Sequence, residues 1–206
     1  FYLLVDHIGC IVRFDVDQSN ETRNQILDTA ANLLQRLTYP AFSYNDISAE
    51  VGIRKASIHY YFPSKEDLGL ALVQRYIEEF ERFEKETNER KLNPSQKLDA
   101  YFEYFTEYQN HQNKICPLGS LAATSEGLPE QLKYALRNMI LVHRTWLLST
   151  VREGHAQGFF TQNLTETQIT ALVGSALLGG LQVARAMNSS ETIPNLLAVI
   201  KHAIQA

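Results

Sequence analysis

The run Ser43-Tyr44-Asn45-Asp46-Ile47-Ser48-Ala49-Glu50-Val51-Gly52-Ile53-Arg54-Lys55-Ala56-Ser57-Ile58-His59-Tyr60-Tyr61-Phe62 decides how this chain is read. Ser43 offers a side-chain oxygen to the unpaired N–H groups of a helix start. Asp46, Ile47, Ala49 and Val51 then make a short helix. Gly52 stops it, because glycine past a helix end takes the left-handed conformation cheaply. Lys55 to Phe62 is long enough for two turns of a second helix. Two short helices joined at a glycine have the spacing of a helix-turn-helix, whose second helix can enter a major groove about 12 Å wide. Ile58 and Phe62, four apart and apolar, point inward, leaving Lys55, Ser57, His59, Tyr60 and Tyr61 on the other faces. Arg54 and Lys55 bring cationic donors to the N-terminal end, where base edges are met. Ser57 and the tyrosine hydroxyls can donate to phosphate oxygens.

Upstream, Ile26, Ala30, Leu33, Leu34 and Leu37 fall on one face of a helix. Ser19, Asn20 and Thr22 are candidate caps, with Thr22 and Gln25 fitting a capping box. Tyr39-Pro40 ends that helix. Downstream, Pro63-Ser64 breaks the chain, Ser64 caps a fourth helix, and Glu66 and Asp67 suit its positive end. Leu68, Leu72, Tyr76, Phe80 and Phe83 run along one side of it to about Lys91. Asn93-Pro94-Ser95 is the next break. A fifth helix runs from Ser95 to about Asn113, and Cys116-Pro117-Leu118-Gly119 opens a short helix ending near Gly127. Pro129 suits the first position of a long helix reaching about Gln157. Thr165 to about Met187 and Thr192 to about Ala203 complete an all-α chain of about nine helices.

Charge does not decide what the helix-turn-helix binds. Between residues 17 and 75, six basic residues (Arg23, Arg36, Arg54, Lys55, Lys65, Arg75) face seven acidic ones (Asp17, Glu21, Asp28, Asp46, Glu50, Glu66, Asp67). A short tyrosine-rich helix serves equally well as core, and an Arg-Lys pair as solvated surface. The residues themselves are more telling. Thr22-Arg23, Ile26-Leu27 and Ala30, then the unbroken run from Ser43 through Pro63-Ser64-Lys65-Glu66-Asp67 to Leu68, resemble the N-terminal domain of TetR-family transcriptional regulators. Order, spacing and residue types agree over roughly residues 20–75.

That resemblance implies a three-helix DNA-binding domain at residues 17–66 and a helical ligand-binding and dimerisation domain at 67–206. It makes the helix from Lys55 the recognition helix and Lys65 a phosphate contact. Lys65 also opens a helix, where N–H groups and its own charge favour an anion. Lys55, Ala56 and His59, with Arg54, are the expected base readers, and Ser43, Ser57, Tyr60, Tyr61 and Lys65 the backbone contacts. The implied partners are double-stranded operator DNA, a small-molecule effector and a second copy of the chain. Three positions depart from the family habit: His59 stands where Tyr is common, Ala56 replaces Gly, and Pro40-Ala41 occupies a usual Gly-aromatic turn. Residues 1–16, without an initiator Met or a basic leader, read as a non-native or disordered extension.

In the second domain, Tyr101, Phe102, Tyr104, Phe105 and Tyr108 crowd one helix, and Met139, His143 and Trp146 follow on the long one. They suit an aromatic ligand pocket with His143 and tyrosine hydroxyls as polar handles, and equally ordinary helix packing. Cys116 precedes a helix whose dipole lowers a thiol pKa. Its surroundings loosely resemble a subgroup in which a cysteine senses electrophiles or oxidants, while a buried inert thiol is the alternative. Ala171, Gly174, Ser175, Leu178 and Gly179, with Leu197 and Ile200 on the last helix, are the expected dimer interface.

Composition closes off other classes. The chain has 206 residues, 45% of them hydrophobic and 20% charged, and a formal charge of −4. That excludes disorder, collagen and a wholly basic nucleic-acid coat. Its two cysteines make no disulfide framework and favour a reducing, cytoplasmic setting. Ile169 to Ala186, the most apolar run, carries Thr170, Gln182 and Arg185 and reads poorly as a membrane span. No His pair at metal spacing, phosphate loop or Gly-x-Ser-x-Gly appears, so no metal, cofactor or enzyme chemistry is expected. The rival reading is a helical carrier or interaction protein that does not regulate transcription.

Overall fold

The starts of four helices in this molecule are written by side-chain caps. The structure is a computed structural model that describes residues 16–110 and 114–206. The expected extension, apart from Val16, and the side chain of Tyr108 lie outside the described residues. Among the described residues there are nine α-helices and no strand. They are α1 (Val16–Leu37), α2 (Tyr44–Val51), α3 (Lys55–Tyr61), α4 (Lys65–Glu89), α5 (Pro94–Asn110), α6 (Pro117–Ala123), α7 (Glu130–Ala156), α8 (Glu166–Met187) and α9 (Thr192–Ile204).

Ser43, Ser64 and Thr165 each close a capping box, with Asp46, Asp67 and Gln168 as the reciprocal partners. Other starts differ from the sequence reading. α1 is already helical at Val16, the first described residue, ahead of Ser19, Asn20 and Thr22. Pro129 is the residue before α7 rather than its first residue. The short helix α6 stops at Ala123, and a separate 3-10 turn, Ser125–Gly127, carries the chain on.

The helices α1, α2 and α3 pack with the start of α4 around Ile26, Ala30, Leu34, Ile47, Ile58 and Phe62, each at most 2% exposed. The remainder is built around α7, which lies against α4, α5, α6 and α8, with α9 packed on α8. The helix α4 joins the two parts, and its Phe80 is fully buried in the second. Its ring centroid lies 3.8 Å from that of His143, 5.8 Å from Tyr104, 5.9 Å from Trp146 and 6.2 Å from Tyr101.

A second join is polar. The last carbonyls of a helix have no partner within it, and α1 satisfies its own from distant elements. Ser120 Oγ donates to Leu34 O at 2.7 Å. Arg185 donates through Nη1 to Gln35 O at 3.2 Å and through Nη2 to Arg36 O at 2.5 Å. The N–H of Ile115 reaches Gln35 O at 3.4 Å. Thus α6 and α8 are fastened to the end of α1, where the helix dipole favours a cation. Length and mean hydropathy (1.4) would let α8 cross a membrane. Its packing on α5, α7 and α9 and the bonds of Gln182 to Gly119 O and of Arg185 to α1 account for it within the fold.

Just past α1, Thr38 has φ 81° and ψ 160°, a backbone region open to glycine and costly for a β-branched residue. The glycine-demanding position of this turn is therefore Thr38. Pro40 and Ala41, where the sequence reading put it, form an ordinary 3-10 turn.

Candidate nucleic-acid interface and effector cavity

The turn between α2 and α3 is held by three local devices. Gly52 takes φ 76° and donates its N–H to Ser48 O at 3.0 Å. Ser48 Oγ donates to Ile53 O at 2.6 Å. Ile58 and Phe62 anchor α3 inward. What remains outward is Arg54, Lys55, Ala56, His59 and Tyr60, all exposed, with Ser57 and Tyr61 half-buried. Tyr60 is 77% exposed, far more than packing needs. The His59 ring rests edge-on against Tyr44, with its Nδ1 3.1 Å from Pro63 O. A carbonyl can only accept, so that contact places a proton on Nδ1.

Two tyrosines that sequence reasoning passed over hold α3 to its neighbours. The Tyr44 hydroxyl lies 2.8 Å from Phe62 O and 2.6 Å from Ser64 O, so it bridges the end of α3 and the cap of α4. Tyr39 donates its hydroxyl to Lys65 O at 2.9 Å, while Lys65 Nζ donates back to Tyr39 O at 2.7 Å and to Phe42 O. Burial pushes the Tyr39 phenol up to about 12 and the Lys65 ammonium down from its ordinary value. Lys65 Nζ also sits 4.7 Å and 4.5 Å from the ring centroids of Tyr39 and Phe42. Two residues expected at phosphates therefore also have partners inside the fold. Lys65 spends its ammonium on two carbonyls, and Ser43 donates its hydroxyl proton to Asp46 Oδ2 at 2.8 Å.

The aromatic residues of the second part divide. A cleft of about 340 Å³ opens between α5, α6, α7 and α8. Tyr101, Phe105 and His143 line it, joined by Leu118, Leu147, Leu177, Thr170 and, toward solvent, Ile140, Arg144 and Ser175. Phe102 and Met139 are packed core, at 2% and 1% exposure, and Trp146 floors a separate groove between α4 and α7. Cys116 lies behind the cleft, beside a void of about 10 Å³. Its Sγ accepts the N–H of Gly119 at 3.3 Å as the cap of α6. Burial outweighs that bond and pushes the thiol up to about 11, against the lowering expected from its place at a helix start. His143 is 7% exposed, and burial pushes its imidazole down to about 4. Among the described residues no group of three or more His, Cys, Asp or Glu is placed to hold a metal ion.

The expected dimer residues also divide. Ala171, Ser175 and Gly179 are exposed on α8, beside the exposed apolar residues Leu172, Val183 and Met187. Gly174, Leu178 and Leu197 are half-buried, and a Cβ on Gly174 or Gly179 would meet open space. Ile200 is 2% exposed, packed inside the subunit, and has no surface to offer a partner. The close helix approach that glycine permits falls instead at Gly180, where a Cβ would lie 2.3 Å from Leu196 of α9. Ala171, Gly174, Ser175 and Leu178 line the cleft as well.

A locked helix-turn-helix at one end and a cavity-bearing helical body at the other define a DNA-binding regulator. Residues 26–72 match the family described as bacterial regulatory proteins, tetR family. A TetR-family transcriptional regulator from Agrobacterium tumefaciens is 31% identical, with a TM-score of 0.86 over 91% of this chain and 100% of that one. A TetR regulator from Legionella pneumophila is 28% identical, with a TM-score of 0.77 over 89% of this chain and 97% of that one. The repressor NemR of Escherichia coli is 23% identical over 90% of this chain and 94% of its own length. The chain belongs to the TetR family of transcriptional regulators, and it is a DNA-binding protein of the all-α fold that family shares.

Proposed function

We propose that this regulator is a homodimeric repressor that leaves its operator when a small molecule fills the cleft between α5 and α8. The observation that carries the DNA half is the outward face of α3, where Arg54, Lys55, His59 and a 77% exposed Tyr60 stand on a helix pinned from behind. Lys55, Ala56 and His59, with Arg54, would meet base edges. Tyr60, Tyr61 and Ser57, with the helix-start N–H groups behind Ser43 and Lys65, would meet phosphates. Ser43 and Lys65 then act by positioning. A second copy would dock along the exposed apolar stripe of α8 and the outer side of α9, Leu197 included, setting two α3 helices on half-sites about 34–36 Å apart or somewhat further.

Residues 17–66 and 67–206 serve as the reading head and the sensing and dimerising body, with α4 running across the boundary. The protein would act in the cytoplasm, as a regulator rather than an enzyme, without cofactor or metal.

The test is a gel shift and salt titration on DNA captured by the full-length protein. Lys55→Ala is expected to cost about 1–3 kcal/mol on the preferred site and to relax sequence preference. Equal binding of all sequences by the unaltered protein would reject the repressor reading.

A further inference from the structure

We propose that the cleft between α5 and α8 takes a neutral, flat aromatic molecule of one or two rings bearing a hydroxyl, an arenol, whose OH pairs with the imidazole of His143. This rests on the cleft being the effector site. Its volume of about 340 Å³ is at the small end of ligand cavities, which run to roughly 1,000 Å³, so it suits one or two rings. Tyr101, Phe105, Leu118, Leu147 and Leu177 give it an apolar and partly aromatic wall.

The polar groups narrow the chemistry further. The Thr170 hydroxyl donates to Glu166 O at 2.8 Å, which leaves it able only to accept. Among the described residues no lining residue is acidic, so an ammonium group meets no carboxylate there. The lining cation, Arg144, is exposed at the rim, so a carboxylate would have to stay outside the apolar part.

That leaves His143. Its ring lies 3.8 Å from Phe80 and 5.6 Å from Phe105, centroid to centroid, and its Nδ1, turned away from accessible surface, has no hydrogen-bond partner among the described residues. An unpaired buried nitrogen is a costly feature, and a small turn of the ring toward the cleft lets a ligand group remedy it. Neutral imidazole has one N–H and one lone pair, and a hydroxyl can answer either.

The experiment titrates the full-length protein with 2-naphthol, naphthalene and 2-naphthoate, read by Trp146 fluorescence and calorimetry. Trp146 stacks on Tyr101, a cleft residue, at 5.3 Å between centroids. The expected result is 2-naphthol binding at least about tenfold tighter than naphthalene, equivalent to about 1.4 kcal/mol. His143→Phe should erase that advantage while leaving naphthalene unchanged. Leu147→Trp, which fills the cleft, should abolish both. The proposal is overturned if the two neutral probes bind alike, if 2-naphthoate binds best, if the advantage survives His143→Phe, or if no probe binds at millimolar concentration. Should His143→Phe not fold, the comparison of probes on the unaltered protein still decides. Operator release is scored separately. An arenol that binds through His143 without shifting operator affinity upholds the ligand chemistry and removes the effector role.

Discussion

Replacing Arg185 with Met tests whether the DNA-reading part is fastened to the body through the end of α1. Methionine keeps much of the side chain's bulk and removes both charge and donors. Two bonds are lost, to Gln35 O at 3.2 Å and Arg36 O at 2.5 Å. Charge-assisted bonds contribute about 1.5–3 kcal/mol when buried, and a cation at a helix end adds about 0.3–1 kcal/mol. Arg185 is half-buried, and the Arg36 bond is exposed, so water recovers part of this. A net loss of about 2 kcal/mol is therefore expected, or about 4–8 °C in Tm for a chain of this size. The assay is thermal unfolding at fixed protein concentration, because association shifts apparent stability. Arg185→Lys should fall between, retaining the charge but not the two-pronged geometry. Ser120→Ala, which removes the bond to Leu34 O, should combine non-additively with Arg185→Met because the two act on adjacent turns. A Tm for Arg185→Met within 1 °C of the unaltered protein (roughly the shift of an interaction contributing nothing) would refute the fastening.

Three further outcomes follow from single residues. Thr38→Gly should raise stability by about 1 kcal/mol, since relief of roughly 1–3 kcal/mol of strain at φ 81° exceeds the added chain entropy; a lower Tm would count against it. Because His143 titrates near 4 when folded and near 6.5 when unfolded, the unfolded state binds more protons between those values, and stability falls with acidification. From pH 7 to pH 5 the loss should be about 2 kcal/mol in urea unfolding, and His143→Phe should flatten that slope. With its thiol pushed up to about 11, Cys116 in a Cys10→Ser background should react with a thiol reagent at least about a hundredfold slower than free cysteine at neutral pH. A rate matching the unfolded protein would show the site to be open.

The helix-turn-helix was legible because everything that shapes it is local. Ser43, Gly52 and Ser64 act on backbone groups within a few positions, and Ile58 and Phe62 mark the inner face by spacing alone. The all-α fold followed from the same periodicity. The cleft was only half legible, because cavity and core ask for the same aromatic residues at the same spacing. Phe102 and Met139 went to the core while Phe105 and His143 line the space, a difference set by which helices approach. Lys65 and Ser43 carry the right chemistry for phosphate, yet the fold turns both to internal partners. Arg185 and Ser120 act on carbonyls 150 and 86 positions away, and Thr38 carries its strain in backbone angles; neither leaves a pattern in sequence.

The uninterrupted course of α4 has a geometric consequence. Its 25 residues rise about 1.5 Å each, giving a rod about 37 Å long. It contains no proline, and its glycine, Gly69, is wedged where a Cβ would stand 2.9 Å from Tyr39 and from Leu132. Such a rod has no elbow at which to absorb a push. Pivoting by roughly 5° about its far end swings Lys65 through about 3 Å, as much as one donor–acceptor distance. A shift too small to notice among the packed rings around Phe80 is thus enlarged at the Lys65 end of the helix.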